Sequence, residues 1–358
     1  MTPPSPPSFP VIDLSPNTSD QELVDRIAEA CSTYGFFQVT SHGIDNDLIQ
    51  AYQEQCELYF QLPHETKLQW KRHERNSRGF FDDELTKQRR DWKEALDFGV
   101  PGSRKWTTAD DDTSNLCLDG WNQLPSEDVL PNFRSVVTKY FDACAKLSDK
   151  IAVLMAKGIG QDESTPVLRG LRERHSSYLR SNYYPTCNET AEDGIKPLGV
   201  SPHKDAGFLT VLLQDIDCHS LQVWKGEQWI TIEPVPGAFT INTGDMAEVW
   251  SNGKYRANLH RVLSHGTKVR YSSPFFYNPP YDALVAPLSS DPIFNPVLWG
   301  YFRAVRFAGD LTDLGVEIQI EDFLRDKNSK HFETQKLFQE LANFKTPFSV
   351  ETFKSILL

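Results

Sequence analysis

The chain has 358 residues, of which 39% are hydrophobic and 12% aromatic, and a net charge of −12. That length allows one large domain or two ordinary ones with a sizeable core. The acidity, with no basic run to offset it, excludes nucleic acid and anionic membranes as expected partners, and no apolar stretch is long enough to span a bilayer.

Met1 to Pro10 is rich in Pro and Ser without an apolar centre, so it reads as neither a signal nor a transit peptide, and residues 1–8 are expected to form a flexible leader. Phe9 to Leu14 reads as a short strand. Ser19-Asp20-Gln21-Glu22 is a capping-box pattern, followed by Leu23, Ile27, Ala30, Cys31 and Tyr34 at helical spacing and by Gly35 as the stop. Gly35 to Val39 is a second strand. Asp45 opens another helix, with Leu48, Tyr52, Cys56, Tyr59 and Phe60 on one face, ending before Pro63. Thr107 to Asn115 reads as a surface loop. Pro131 starts a long helix whose stripe runs Phe133, Val136, Val137, Tyr140, Phe141, Cys144, Leu147, Ile151 and Leu154, the signature of core packing.

From about Ser177 the period changes to two. Tyr178–Tyr184, Phe208–Leu213, Leu221–Trp224, Gln228–Ile232, Ala238–Asn242, Leu259–Ser264 and Arg270–Tyr277 read as strands separated by Gly, Pro, Asp and Asn turns. Short strands at this spacing indicate a sandwich, of which the double-sheet jelly roll is one solution. Beyond Pro287 the chain returns to helix, chiefly Val297–Phe307, and ends in an amphipathic tail. With no internal repeat or linker, residues 9–358 read as one α+β domain: a mainly helical part at 9–170, a jelly-roll core at 171–285 and a helical part at 286–358. Cys31, Cys56, Cys117, Cys144, Cys187 and Cys218 are dispersed without a C-x-x-C pair, which fits free thiols in a reducing, cytoplasmic setting.

The chemistry concentrates between Pro202 and Ser272. Residues two apart on a strand share a face, so His203 and Asp205 are expected to converge, and His260 is placed to add a third ligand from a distant strand. Two imidazoles and a carboxylate make a facial triad with open positions, the arrangement of non-haem Fe(II) sites. Arg270 and Ser272 again share a face, and a guanidinium fork with an added hydroxyl suits a carboxylate. The remaining histidines, His42, His64, His73, His175, His219, His265 and His331, lack paired spacing and read as structural or exposed.

With these residues in view, the sequence closely resembles the plant- and fungal-type Fe(II)/2-oxoglutarate-dependent dioxygenases related to isopenicillin N synthase. Phe9–Ser15 and Gly35–Ile44 look like that family's N-terminal signatures, and Asn182-Tyr183-Tyr184-Pro185 resembles its asparagine-tyrosine-tyrosine-proline motif. His203-Lys204-Asp205, His260 and Arg270-Tyr271-Ser272 match its metal and co-substrate motifs in order and spacing. Departures are modest: Lys204 holds the variable place between ligands, Thr186 stands where proline is common, and Ser41 replaces an asparagine. The resemblance implies a double-stranded β-helix with flanking and N-terminal helices, and iron in its mouth. It implies that His203, Asp205 and His260 hold Fe(II), and that Arg270, Ser272, Tyr184 and Asn182 bind 2-oxoglutarate, with ascorbate as reductant. It further implies that, with O2, a small molecule is oxidised at a C–H bond by hydroxylation, desaturation or ring closure, with release of succinate and CO2. A same-fold oxidase that uses no 2-oxoglutarate carries a similar Arg/Ser pair, and a jelly-roll protein that binds a small ligand without turnover is the reading from another class.

On the substrate side, Arg180 lies two residues before Asn182 and should face the same cavity, where it is either an anchor for a substrate carboxylate or one partner of a salt bridge. Arg78 and Phe80, and Phe276 on the parity of Arg270 and Ser272, are the other candidates for the substrate wall, with Tyr301, Phe302 and Val305 behind them. The expected assembly is a monomer or weak dimer.

Overall fold

The structure is a computed structural model that describes residues 9–73, 76–86, 89–100, 120–188, 196–311, 317–327 and 329–342. The leader at 1–8, Cys117 and the expected loop at Thr107–Asn115 lie outside the described residues.

The chain begins with β1 (Val11–Asp13), α1 (Asp20–Thr33) and β2 (Phe36–Thr40). Ser19 caps α1, its hydroxyl accepting from the Glu22 amide at 3.2 Å. The helix stops at Gly35, which takes φ +61° and whose Cβ, if it had one, would lie 2.4 Å from the Arg256 carbonyl oxygen. α2 (Asn46–Gln61) is capped by Asp45 and buries Tyr52, Cys56, Tyr59 and Phe60, and α3 (His64–Lys67) follows. Four short strands that the sequence did not suggest come next: β3 (Gly79–Phe81), β4 (Leu85–Thr86), β5 (Arg89–Arg90) and β6 (Glu94–Gly99). The long helix α4 (Phe133–Lys157) starts two residues after the expected Pro131, and its Tyr140 stacks on Tyr52 of α2 with ring centroids 3.8 Å apart. α5 (Pro166–Arg174), also unexpected, leads into the strand-rich part.

There the strands are β7 (Tyr178–Tyr184), β8 (Leu198–His203), β9 (Leu209–Gln214), β10 (Leu221–Lys225), β11 (Gln228–Thr231) and β12 (Phe239–Thr243). A short helix, α6 (Asp245–Trp250), precedes β13 (His260–Leu263) and β14 (Arg270–Tyr277). The chain then forms β15 (Leu284–Val285), β16 (Val297–Leu298), α7 (Trp299–Leu311) and α8 (Lys330–Ala342). α7 opens at Trp299 rather than Val297 because Val297 and Leu298 pair with Val285 and Leu284.

Two sheets carry the architecture. The large one runs β1-β2-β12-β9-β14-β7-β6-β3, and the small one β11-β10-β13-β8. The large sheet shows why a period of two matters here. Val39, Leu179, Leu209, Val211, Ile241 and Phe275 join one apolar cluster with α1, α2 and α4. Their neighbours in sequence, including Phe36, Arg180, Asn182, Thr210, Leu212, Asn242 and Phe276, turn the other way and line a cavity with residues of the small sheet. This is the jelly-roll arrangement, mixed α+β, with helices on the outer face and a site in the inner one. Among the described residues no helix is long and apolar enough to cross a membrane.

Candidate active site

β8 and β13 run antiparallel with His203 and His260 as direct cross-strand partners, which brings the two rings to a centroid separation of 4.2 Å. Asp205 arrives differently from the expectation. β8 ends at His203, so strand parity does not place Asp205. Its turn is gripped by the start of α6: the Asp245 amide donates to the Asp205 carbonyl at 2.8 Å and the Met246 amide to the Gly207 carbonyl at 3.0 Å. Only glycine fits at Gly244, where a Cβ would lie 2.2 Å from the Gly207 oxygen.

The three side chains offer ligand atoms that all lie within 4.8 Å of one another, the only such His/Cys/Asp/Glu group among the described residues. Asp205 Oδ1 stands 3.5 Å from Nε2 of each histidine. Its Oδ2 is occupied, accepting from Thr210 Oγ1 at 2.5 Å and Asn242 Nδ2 at 2.7 Å. Each imidazole is oriented through its other nitrogen: His203 Nδ1 donates to the Ser201 carbonyl at 2.8 Å and His260 Nδ1 to the Asn258 carbonyl at 3.0 Å. A carbonyl only accepts, so Nδ1 of each ring carries a proton and Nε2 is the atom left to face a metal. Phe36 packs edge-on against His260 at 5.2 Å.

The electrostatics suit a cation. Burial works to raise the Asp205 carboxyl, but His260 and His203 hold it well below the usual carboxylate range. Burial and the neighbouring His260 lower His203, while His260 is raised because Asp205 outweighs its burial. An ionised carboxylate between two imidazoles is a donor set that suits a divalent ion.

Deeper in the same cavity, β7 and β14 set Arg270 opposite Tyr184 and Ser272 opposite Asn182. Arg270 Nη1 donates to Ser272 Oγ at 3.1 Å, and its guanidinium lies over the Tyr184 ring at 4.9 Å. Ser272 Oγ also receives Asn182 Nδ2 at 3.4 Å and lies 3.5 Å from the Tyr184 hydroxyl. Arg270 is 2% exposed, and its Nε and the Oδ1 of Asn182 are buried without a partner. No carboxylate pairs with Arg270 among the described residues, a costly state that an anionic ligand would relieve.

Comparison with known proteins decides the family. The profile described as 2OG-Fe(II) oxygenase superfamily matches residues 175–279, and that described as non-haem dioxygenase in morphine synthesis N-terminal matches residues 9–127. Jasmonate-induced oxygenase 2 of Arabidopsis thaliana is 32% identical over 83% of this chain and 78% of its own length. This chain belongs to the 2OG-Fe(II) oxygenase superfamily. It is a Fe(II)/2-oxoglutarate-dependent dioxygenase, and the triad and the unpaired arginine fit those two groups. Codeine O-demethylase of Papaver somniferum is 32% identical over 84% of this oxygenase and 79% of its own length. The crystal structure of JOX2 in complex with 2OG, Fe and JA superposes with a TM-score of 0.69 at 29% identity, covering 92% of this chain and 89% of that one.

The cavity of the oxygenase holds about 80 Å³, below the roughly 300–1,000 Å³ of drug-sized ligand sites. Of the substrate-wall candidates, Arg180 and Phe276 line it, and Arg78 and Phe80 do not. Phe80 is fully buried beneath Lys67, whose Nζ lies 5.5 Å from its ring, and Arg78 is buried over Tyr178 at 5.1 Å. Tyr301, Phe302 and Val305 are core residues. Arg180 takes the salt-bridge alternative. Its Nε and Nη2 donate to Asp97 at 2.8 and 2.9 Å, and its Nη1 to Glu84 at 2.9 Å. Glu84 also pairs with Lys93 at 2.6 Å and Arg72 at 3.5 Å. Burial would raise Glu84, yet Arg180, Lys93 and Arg72 hold it below the usual carboxylate range.

Sequence reasoning missed Phe36, Lys93, Thr210 and Asn242, all of which line the cavity. Parity on β9 and β12 could have placed Thr210 and Asn242 inside. Nothing local marks Phe36 or Lys93, which come from the N-terminal half.

Proposed function

We propose that His203, Asp205 and His260 hold Fe(II), that Arg270, Ser272, Tyr184 and Asn182 hold the far carboxylate of 2-oxoglutarate, and that the oxygenase oxidises an unactivated C–H bond of a small, carboxylate-bearing molecule, hydroxylation being the default outcome. One observation carries the reading: three converging ligand atoms and a buried arginine lacking an acid partner share one cavity. When bound, Fe(II) and 2-oxoglutarate supply oxidation of a C–H bond by O2, with succinate and CO2 as co-products.

The protein's part is orientation and exclusion of water. Thr210 and Asn242 hold one oxygen of Asp205, so a single oxygen faces the two Nε2 atoms. Ser272 fixes one arm of the Arg270 fork and leaves Nε for a carboxylate. Val200, Leu212, Leu221, Val262 and Phe276 give the cavity an apolar wall against which a hydrocarbon skeleton can pack. Arg180 lines the cavity but is already held by Asp97 and Glu84, so the acid group of the substrate is proposed from likeness to a similar enzyme and not from Arg180. Jasmonate, the ligand of the similar crystal structure, is of this class.

The test is a succinate-release screen over small organic acids, amino acids, phenylpropanoids and terpenoids with iron, ascorbate and oxygen supplied. Stoichiometric succinate and an oxidised product that both vanish in His203→Ala are expected. Product formed without succinate would instead identify an oxidase that does not use 2-oxoglutarate, and turnover retained in His203→Ala would reject the ligand set.

A further inference from the structure

Lys204 sits between two of the proposed iron ligands yet is absent from the cavity lining. Its side chain runs to the C-terminal part of the chain, where Nζ donates to Glu321 Oε1 at 2.9 Å. Glu321 belongs to the 3-10 turn Ile320–Phe323, which is anchored by buried Ile318, Ile320 and Phe323 and closed by a reciprocal capping box between Gln319 and Asp322.

A second tie runs in parallel. Arg306 of α7 donates through Nη2 to Asp245 Oδ2 at 3.1 Å and pairs through Nη1 with Glu317. Asp245 is the residue whose amide holds the Asp205 carbonyl. Of the other acids around Lys204, Asp245 is taken by Arg306 and Glu248 accepts from the Ala257 amide at 2.8 Å. Segment 317–323 is therefore joined to the ligand turn at two points, once beside His203 and Asp205 and once behind Asp205.

We propose that Lys204 and Glu321 are positioning residues of the metal centre: through their ion pair, segment 317–323 holds the His203–Asp205 turn at the spacing that the ion requires. The inference rests on the assignment of His203, Asp205 and His260 as the ligands. It carries a sign that distinguishes it from simple electrostatics. Removing a cation beside a divalent-ion site should tighten binding by Coulomb's law alone, whereas loss of a positioning contact should weaken it.

The experiment is an anaerobic calorimetric titration of Fe(II) into the full chain with 2-oxoglutarate and no substrate, alongside the metal-free unfolding midpoint. Lys204→Met and Glu321→Gln should each weaken Fe(II) about tenfold, the lower end of the range for partners behind a ligand. The charge-swapped double variant Lys204→Glu/Glu321→Lys should recover to within about twofold of the parent. The metal-free midpoint should hold in every variant, because a partly exposed ion pair contributes little to stability. Unchanged or tighter Fe(II) binding in Lys204→Met would overturn the proposal, as would a double variant no better than the singles. A midpoint that falls with the affinity would do the same, since it marks a folding role. His203→Ala is the control: if it binds Fe(II) as the parent does, the ligand assignment itself has failed, whatever Lys204→Met does.

Discussion

Replacing Arg270 with lysine keeps the charge and removes the fork. In the structure Nη1 is committed to Ser272 at 3.1 Å, while Nε is buried and unpartnered, so the proposed co-substrate carboxylate depends on the donors that lysine cannot reproduce as a pair. Loss of one hydrogen bond to a charged group amounts to about 1.5–3 kcal/mol. At about 1.4 kcal/mol per tenfold, 2-oxoglutarate should bind about 10- to 150-fold more weakly. Arg270→Ala should lose more, because it also removes the cation that lies over Tyr184 at 4.9 Å. Fe(II) affinity without 2-oxoglutarate should hold in both, since Arg270 makes no contact with the triad in the structure. Anaerobic calorimetry with Fe(II) gives the affinity directly, and the KM for 2-oxoglutarate in succinate release gives it again. A lysine variant that binds 2-oxoglutarate within about twofold of the parent, with the metal site intact, would mean that the carboxylate is held elsewhere.

Four further outcomes are expected. His203→Ala or Asp205→Ala should abolish turnover and Fe(II) binding while circular dichroism shows the fold retained. Asn242→Ala frees one oxygen of Asp205 and should cost about 10- to 100-fold in metal affinity, read by Fe(II) titration. Gly244→Ala forces a methyl to 2.2 Å from the Gly207 oxygen, so the ligand turn must shift and metal affinity should fall more than the unfolding midpoint does. Glu84 is held below its ordinary value of 4.5 by Arg180, Lys93 and Arg72. Its contribution to stability is therefore present above that value and lost as pH falls below it. Glu84→Gln should be clearly less stable than the parent at pH 7, with the difference shrinking below about pH 4.5; an equal difference at pH 7 and pH 3.5 would refute the linkage.

Much of the candidate site was legible because its chemistry is carried by rare residues in a fixed order. His203 and Asp205 lie at and just beyond the end of β8, and His260, Arg270 and Ser272 on the later neighbours β13 and β14, while the period-two pattern gave the strands that carry Asn182 and Tyr184. The weak points are physical. Asp205 converges with His203 through a turn clamped by α6, a six-residue helix too short to announce itself by periodicity. β3, β4 and β5 have two or three residues each; β3 depends on pairing with β6, and β4 and β5 on pairing with each other. Arg180 points inward as parity requires, but whether an inward arginine meets a substrate or an acid depends on Glu84 and Asp97, which lie 96 and 83 residues away along the chain.

Phe36 gives the N-terminal half of the chain a stake in the chemistry. The stretch 175–279 contains every residue proposed to bind iron or 2-oxoglutarate, and it invites excision as a portable catalytic module. Yet β12, inside that stretch, is flanked by β2 from outside it, and the aromatic edge against His260 comes from the same strand. Cut free, the module would present a bare strand edge and a histidine open to bulk solvent. Its failure to retain iron would be a matter of missing walls and not of missing ligands.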